Sequence, residues 1–314
     1  SLINPDAPGF DPTKNPTGPI WNMEVFNNRI YVTVSDPYGA QVWRTNGPEP
    51  KLNDWTLIVD RGFGNPANVI TLATGVFKDH LYISVTKDLP LSWLIPRGCD
   101  IIRINKRDEW ELVVGGNPFL PASNSASGLG SGFNNPFNVY AWQIREHKGK
   151  LLITTFDDSS NMQLILDTLL TNRVALEERI GATVTNILIG IYRTIVEILN
   201  AIRYPIGFDL YTSTDGIHFS TVFLNGLNNR NNYGGRILYE DSSKNLYLGT
   251  ANPFEGCEVW KVNPKDWNPR PCNDDHYKAL REIRNIIVKN FRIMNENMPA
   301  VLDFIPRHFT QKFC

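Results

Sequence analysis

The 314-residue chain is poor in the residues that announce chemistry: it has five histidines and four cysteines, and its formal net charge is −1. The cysteines, Cys99, Cys257, Cys272 and Cys314, form no Cys-x-x-Cys pair, and none has a histidine at ligand spacing, which argues against a structural zinc site. A near-zero charge excludes broad electrostatic attraction to nucleic acid or an anionic membrane. There is no Walker loop, no His-Glu-x-x-His and no Gly-x-Ser-x-Gly. No Asn-x-Ser/Thr sequon occurs either, which points to a prokaryotic rather than a eukaryotic secretory origin. The uncharged part of the most apolar segment, 180–192, falls short of the roughly 20 residues that cross a bilayer, so no transmembrane segment is expected. The chain opens at Ser1 without a methionine, and we read it as a processed or trimmed form.

An even cysteine count fits two disulfides in an oxidising compartment. Cys272 and Cys314 flank a C-terminal helical pattern, and pairing them leaves Cys99 with Cys257; four free thiols are the alternative. What the chain does have is 21 prolines, 23 glycines and 11% aromatic residues, the composition of a turn-rich β protein.

Those residues repeat. Gly62-Phe63 and Gly132-Phe133 open segments that run to Asn68 and Asn138, and Gly226-Leu227 opens one that runs to Asn232. A hairpin pattern follows each, and the same pattern begins at Trp21. Its turns are Asn27-Asn28, Lys78-Asp79, His147-Lys148-Gly149 and 241–244. A third strand starts near Ala40, Cys99, Phe208 and Cys257. A fourth follows Trp55, Trp110 and Phe219. Four copies of a four-stranded unit predict an all-β β-propeller with four visible blades, complete or part of a larger ring. The last copy ends at Val262 without a clear outer strand, and residues 1–4 look like the strand that completes it. His80 and His147 occupy matching hairpin turns and are expected at the surface.

The motifs Gly256-Cys257-Glu258-Val259-Trp260-Lys261 and Ser213-Thr214-Asp215-Gly216-Ile217-His218-Phe219 resemble the blade signatures of a family of secreted bacterial and archaeal propeller proteins. The second is also similar to a shortened sialidase Asp-box, a structural hairpin device. The resemblance covers roughly residues 9–262 and implies the fold and an extracellular or cell-envelope location. It extends more distantly to propeller enzymes that alkylate resorcinol-type rings, which carry a calcium-binding domain without counterpart here.

Two helical additions interrupt the repeat. Apolar residues at Val184, Ile187, Leu188, Ile191, Ile195, Ile198, Leu199 and Ile202 have helical spacing, with a shorter helix over 162–170 before them. The same spacing recurs over 276–294. The expected organisation is blades over 1–160 and 205–268, a helical insertion over 161–204 and a helical extension over 269–314, the two helical parts packing as one cap. A smaller insertion over 88–97 contains Trp93.

Candidate site residues are those that depart from their counterparts in the other copies. Asn232-Tyr233-Gly234-Gly235-Arg236 stands where sister copies have ordinary strand residues. The glycines imply a close backbone approach, and Tyr233 with Arg236 suits an anion or a phenol. Trp142, Arg145, Asn232 and Asn252 are candidate ligand contacts. Asp157 is a third candidate for catalysis, and Asp157 with Asp158 forms the kind of acidic loop that holds Ca²⁺. The function expected is a secreted propeller with a single binding cleft on its helix-capped face, for a small molecule, glycan or protein partner. The alternative is an enzyme acting on a small aromatic or anionic substrate with Tyr233 and Arg236 in the site. An upstream propeller chain or a second copy are further candidate partners.

Overall fold

The computed structural model describes residues 19–49, 54–89, 91–116, 124–263, 267 and 274–305. The expectations for residues 1–4 and for the Cys272–Cys314 bridge lie outside these.

Antiparallel sheets dominate. The first contains β1 (Ile20–Phe26), β2 (Arg29–Val34), β3 (Gln41–Thr45) and β4 (Trp55–Val59) in chain order. The second repeats the arrangement with β5 (Asn68–Phe77), β6 (His80–Lys87), β7 (Asp100–Asn105) and β8 (Trp110–Val114). The third unit is β9 (Asn138–His147), β10 (Lys150–Asp157), β11 (Leu210–Ser213) and β12 (Ser220–Phe223). The fourth has three strands among the described residues, β13 (Gly234–Glu240), β14 (Leu246–Ala251) and β15 (Val259–Val262). A single pairing, Phe156 with Gly234, joins the third and fourth units into one curled sheet.

The hairpins form because their turn residues accept left-handed backbone. Asn27 and Asn28 have φ of 49° and 57°, and Lys148-Gly149 has 47° and 75°. The first strands of the units stack in order, β5 between β1 and β9, and β9 between β5 and β13. The contact between β5 and β9 is close: a Cβ on Gly75 would sit 2.4 Å from the Ile144 carbonyl oxygen. Apolar faces meet in the same sequence. Phe26, Tyr31 and Val42 pack against Leu81, Ile83 and Ile102. Tyr82 and Ile101 share a second cluster with Val139, Ile144 and Ile153. Leu152 and Leu210 pack against Leu238 and Leu248.

A polar staple repeats at each junction. Asn68 Nδ2 donates to the Gly62 carbonyl and to Asp100 Oδ2, both at 3.2 Å. Asn138 does the same with Gly132 (3.0 Å) and Asp209 (2.8 Å), and Asn232 with Gly226 and Glu258, both at 3.0 Å. Each asparagine carbonyl accepts from the preceding unit, at the amides of Ala40, Cys99 and Phe208. One residue thereby ties two consecutive units: its buried side-chain Nδ2 donates twice, while Oδ1 of Asn68 and of Asn138 accepts no hydrogen bond. The glycine that opens each segment is left-handed, with φ of 62°, 66° and 58°, because the chain folds back on it. A Cβ on Gly132 would sit 2.0 Å from the Asn135 carbonyl oxygen. The Ser213–Phe219 turn is closed by Asp215, whose Oδ1 accepts the amides of Ile217 and His218 at 2.8 Å.

The insertion between β10 and β11 forms α2 (Asn161–Thr171), α3 (Arg173–Ile180) and α4 (Ala182–Ala201), and the C-terminal helix is α5 (Asp274–Leu302). With the single turn α1 (Leu91–Leu94) between β6 and β7, they share one apolar cluster that includes Leu94, Ile165, Leu188, Tyr192, Ile283 and Met294. α4 is long and apolar enough to cross a membrane by length and composition; here Leu188, Tyr192 and Ile195 are buried in that cluster.

Two expectations need correction. His147 is not a surface turn residue: it is buried, and its Nδ1 lies 2.6 Å from Glu240 Oε2, because the fourth unit stacks over the end of β9. Cys99 and Cys257 are free thiols. They precede Asp100 and Glu258, equivalent positions in the second and fourth units, with the third unit stacked between. Cys99 is fully buried, which pushes its thiol up to about 12, while Cys257 is exposed.

Candidate functional site

A cavity of about 550 Å³ opens on the second unit, beside the connection that leads into it from the first and under α5. Three aromatic side chains wall it: Phe63 from the turn after β4, Trp110 at the start of β8, and Phe291 from α5. Phe63 and Trp110 meet edge to face with centroids 5.7 Å apart. The polar lining comes from Asn65 and Asn68 of the connection between units, and from Lys87, Arg97 and Asp100.

These charges are of two kinds. Lys87 and Asp100 are both 2% exposed and form an ion pair at 2.8 Å. The pair makes further hydrogen bonds, with Lys87 donating to the Gly98 carbonyl at 3.0 Å and Asp100 accepting from Asn68 and Ser131. Arg97 is different. Its guanidinium stacks over Phe291 with the carbon 5.6 Å from the ring centroid, and its buried Nε makes no hydrogen bond. Burial lowers its pKa while Asp88 opposes this through space, and the guanidinium stays charged. With Lys87 paired to Asp100, Arg97 brings the cavity a positive charge that only Asp88 opposes, through space and without an ion pair among the described residues. The arrangement suits an anionic group on a flat apolar body.

No protein-family model matches the chain, and no curated protein matches it in sequence.

The residues singled out in the sequence lie elsewhere. Gly234 faces Trp142, where a Cβ would come within 1.9 Å of the indole, and a Cβ on Gly235 would press on Thr154 and Phe208. The close approach behind the double glycine is thus met by the protein's own third unit. Tyr233 packs edge-on against Phe156, with centroids 5.2 Å apart, and lies 6.2 Å from the Trp142 ring. Arg236 is exposed and sits over the Trp142 ring at 5.0 Å. Arg145 lies close enough to Glu24 to act on it electrostatically. Asn232 and Asn252 are hydrogen-bonded to one another at 3.1 Å within the staple of the fourth unit. Gly234→Ala is expected to cost about 1–3 kcal/mol in chemical denaturation. Replacing Trp142 by Leu in that background should restore part of the loss.

Asp157 and Asp158 are buried at the root of the insertion. Asp157 accepts from the Ser159 amide (2.9 Å) and hydroxyl, and from Tyr204, which also accepts from Asn135 at 2.7 Å. Asn161 donates to Asp158. Desolvation first, and then Asp209, push the Asp157 carboxyl up to about 7; desolvation pushes Asp209 up to about 6 and Asp158 well above the usual range. Among the described residues, no group of three or more His, Cys, Asp or Glu is arranged to hold a metal ion. The calcium expectation finds no support there.

Sequence reasoning passed over Arg97, Lys87 and Tyr204. Arg97 stands alone after the apolar run 93–96, inside the small insertion already marked by Trp93, and that was its one signal.

Proposed function

We propose that the chain forms four units of a β-propeller and binds a small ligand, with an anionic group on a flat apolar body, in the cleft of its second unit beneath α5. The stacked antiparallel units and their repeated asparagine staples support the propeller reading. An extracellular or cell-envelope setting accompanies it through the resemblance of the blade motifs. Arg97 carries the ligand reading: a charged side chain whose buried Nε lacks a partner, set among three aromatic walls. A guanidinium recognises carboxylate or phosphate through paired N–H groups, and an aromatic body gains from the surrounding rings.

Isothermal titration with benzoate, phenyl phosphate and the neutral benzyl alcohol tests this. The anionic compounds should bind and the neutral one should not. Arg97→Met should weaken the anionic compounds by about 10- to 100-fold, the range of a charge-assisted hydrogen bond. Equal binding to Arg97→Met, or no binding of either anion, would defeat the assignment.

A further inference from the structure

The third unit holds a ring of its own at the place where the second unit has its cleft. Residues 62–68 match 132–138, and Ile95-Pro96-Arg97-Gly98 matches Tyr204-Pro205-Ile206-Gly207. Backbone hydrogen bonds fix the second match: the amides of Cys99 and Phe208, next in each run, both donate to the staple asparagine of the following unit. Lys87 and Asp157 stand opposite Asn68 and Asn138 in their hairpins. Four residues that wall the cleft, Asn65, Ala67, Lys87 and Asp100, therefore correspond to Asn135, Phe137, Asp157 and Asp209.

In the third unit all four act on the phenol of Tyr204. Its oxygen accepts from Asn135 Nδ2 at 2.7 Å and donates to Asp157. The Phe137 ring meets it edge to face with centroids 5.6 Å apart, and the Asp209 carboxyl acts on it through space. In the second unit no such ring is present. Ile95, the counterpart of Tyr204, is buried among the helices and is not one of the cleft's walls, and Ala67 stands where the third unit has Phe137. The polar groups differ as well. Asn65 Oδ1 accepts the Ala67 amide at 3.1 Å, as Asn135 Oδ1 accepts that of Phe137. Asn65 Nδ2, however, makes no hydrogen bond among the described residues, whereas Asn135 and Asn229 both use theirs. Where Asp157 accepts the Tyr204 proton, Lys87 offers donors: Asp100 and the Gly98 carbonyl take two of its three N–H groups. A group lodged beside Asn65 and Lys87 thus meets donors, where the Tyr204 hydroxyl meets one donor and one acceptor. An oxygen that only accepts fits this setting, and it need not be charged, because Asp100 already balances Lys87.

We infer that the ligand of the cleft is an aryl acid whose ring carries a second, uncharged acceptor oxygen, a carbonyl, bound by Asn65 Nδ2 and Lys87 Nζ while the acid meets Arg97. Its ring takes in the second unit the place that Tyr204 takes in the third. Asn65 is then the residue that selects for the carbonyl, since a neutral ligand group that leaves its donor unpaired forgoes that hydrogen bond. The inference rests on the cleft reading above and adds a second point of recognition to it.

Isothermal titration of 3- and 4-acetylbenzoate against 3- and 4-isopropylbenzoate tests it, because the isopropyl compounds keep the acid and the shape and lack the oxygen. At one of the two ring positions the acetyl compound should bind at least about 10-fold more tightly than its isopropyl counterpart. Asn65→Asp keeps an acceptor for the Ala67 amide and removes the donor. Its added charge weakens both acids alike, so the ratio is the readout, and the acetyl advantage should fall to about 2-fold or less. Ala67→Phe gives the second unit the residue of the third and should abolish binding of all four compounds with no loss of stability in urea. Equal binding of acetyl and isopropyl compounds at both positions overturns the inference, as does an advantage that survives Asn65→Asp or a folded Ala67→Phe chain that binds as before. Benzoate that binds and is weakened by Arg97→Met, without any acetyl advantage, would overturn this inference and leave the cleft assignment standing.

Discussion

Replacing Lys87 by Met is expected to destabilise the fold by about 3–5 kcal/mol, the cost of leaving a buried charge without its partner. Lys87 and Asp100 are each 2% exposed, so the carboxylate has little contact with water to replace the ammonium. Asn68 and Ser131 would still donate to Asp100, which places the loss towards the lower end of that range. The pair also stands at a staple, so the loss should spread to the junction of the first two units. Adding Asp100→Asn to Lys87→Met removes the orphaned charge and keeps an acceptor for Ser131. The double variant should therefore be more stable than Lys87→Met alone, giving a coupling energy of at least 1 kcal/mol in a double-mutant cycle. Urea denaturation of the four proteins measures it; additive losses would show that the two charges do not depend on each other.

The same position in the third unit shows how far the sequence could be read. Asn68 pairs with Lys87 and Asn138 with Asp157 along their hairpins, so Lys87 and Asp157 are counterparts. The repeat itself was legible because its landmarks are local. Gly62, Gly132 and Gly226 have to be left-handed, and Asn27-Asn28 and Lys148-Gly149 make tight turns within a few residues of chain. The helical spacing in 184–202 was legible for the same reason.

The partners were not legible, because they are remote. Asn68, Asn138 and Asn232 stood out as a set. Their acids lie 32, 71 and 26 residues further on, in another strand, and no spacing rule connects them. Asn232 alone among them was expected to contact a ligand; all three form staples between units. His147 was assigned to the surface from its turn, and Glu240 of the next unit buries it. Arg97 became visible as a site residue only when α5 brought Phe291 over it. Asymmetry among the copies did point to real differences. At Gly234 the difference was the protein's own Trp142, and at Lys87 and Asp157 it was charge.

Asp157→Asn should make stability less dependent on pH across a window where the wild-type chain loses it, with Asp209 and Asp158 keeping the shifts that desolvation gives them. Asp157 and Asp209 are fully buried, with Tyr204, Asn135 and Ser159 bonded to them from the insertion and from the third unit's opening turn, and Asp158 beside them. Lys87, the counterpart that would neutralise one acid, is absent from this unit. Desolvation therefore raises both carboxyls, to about 7 and about 6, while in the unfolded chain they titrate near the ordinary aspartate value of about 3.9. Between those limits the folded state holds protons that the unfolded state has released. Stability is then full below about pH 4 and falls as pH rises through 6 and 7, the reverse of an aspartate held in a salt bridge. The two groups titrate as a coupled pair, so the fall is one broad transition, on the order of a few kcal/mol in total. An Asn at 157 stays neutral and keeps an acceptor for Ser159, so the share of the fall that Asp157 contributes is gone. Its expected effect is small at pH 4.5 and a gain of about 2 kcal/mol or more at pH 8. Urea melts at half-unit intervals from pH 4.5 to 8 measure both slopes; a wild-type chain whose stability rises over that range would show that Asp157 is ionised in the folded protein.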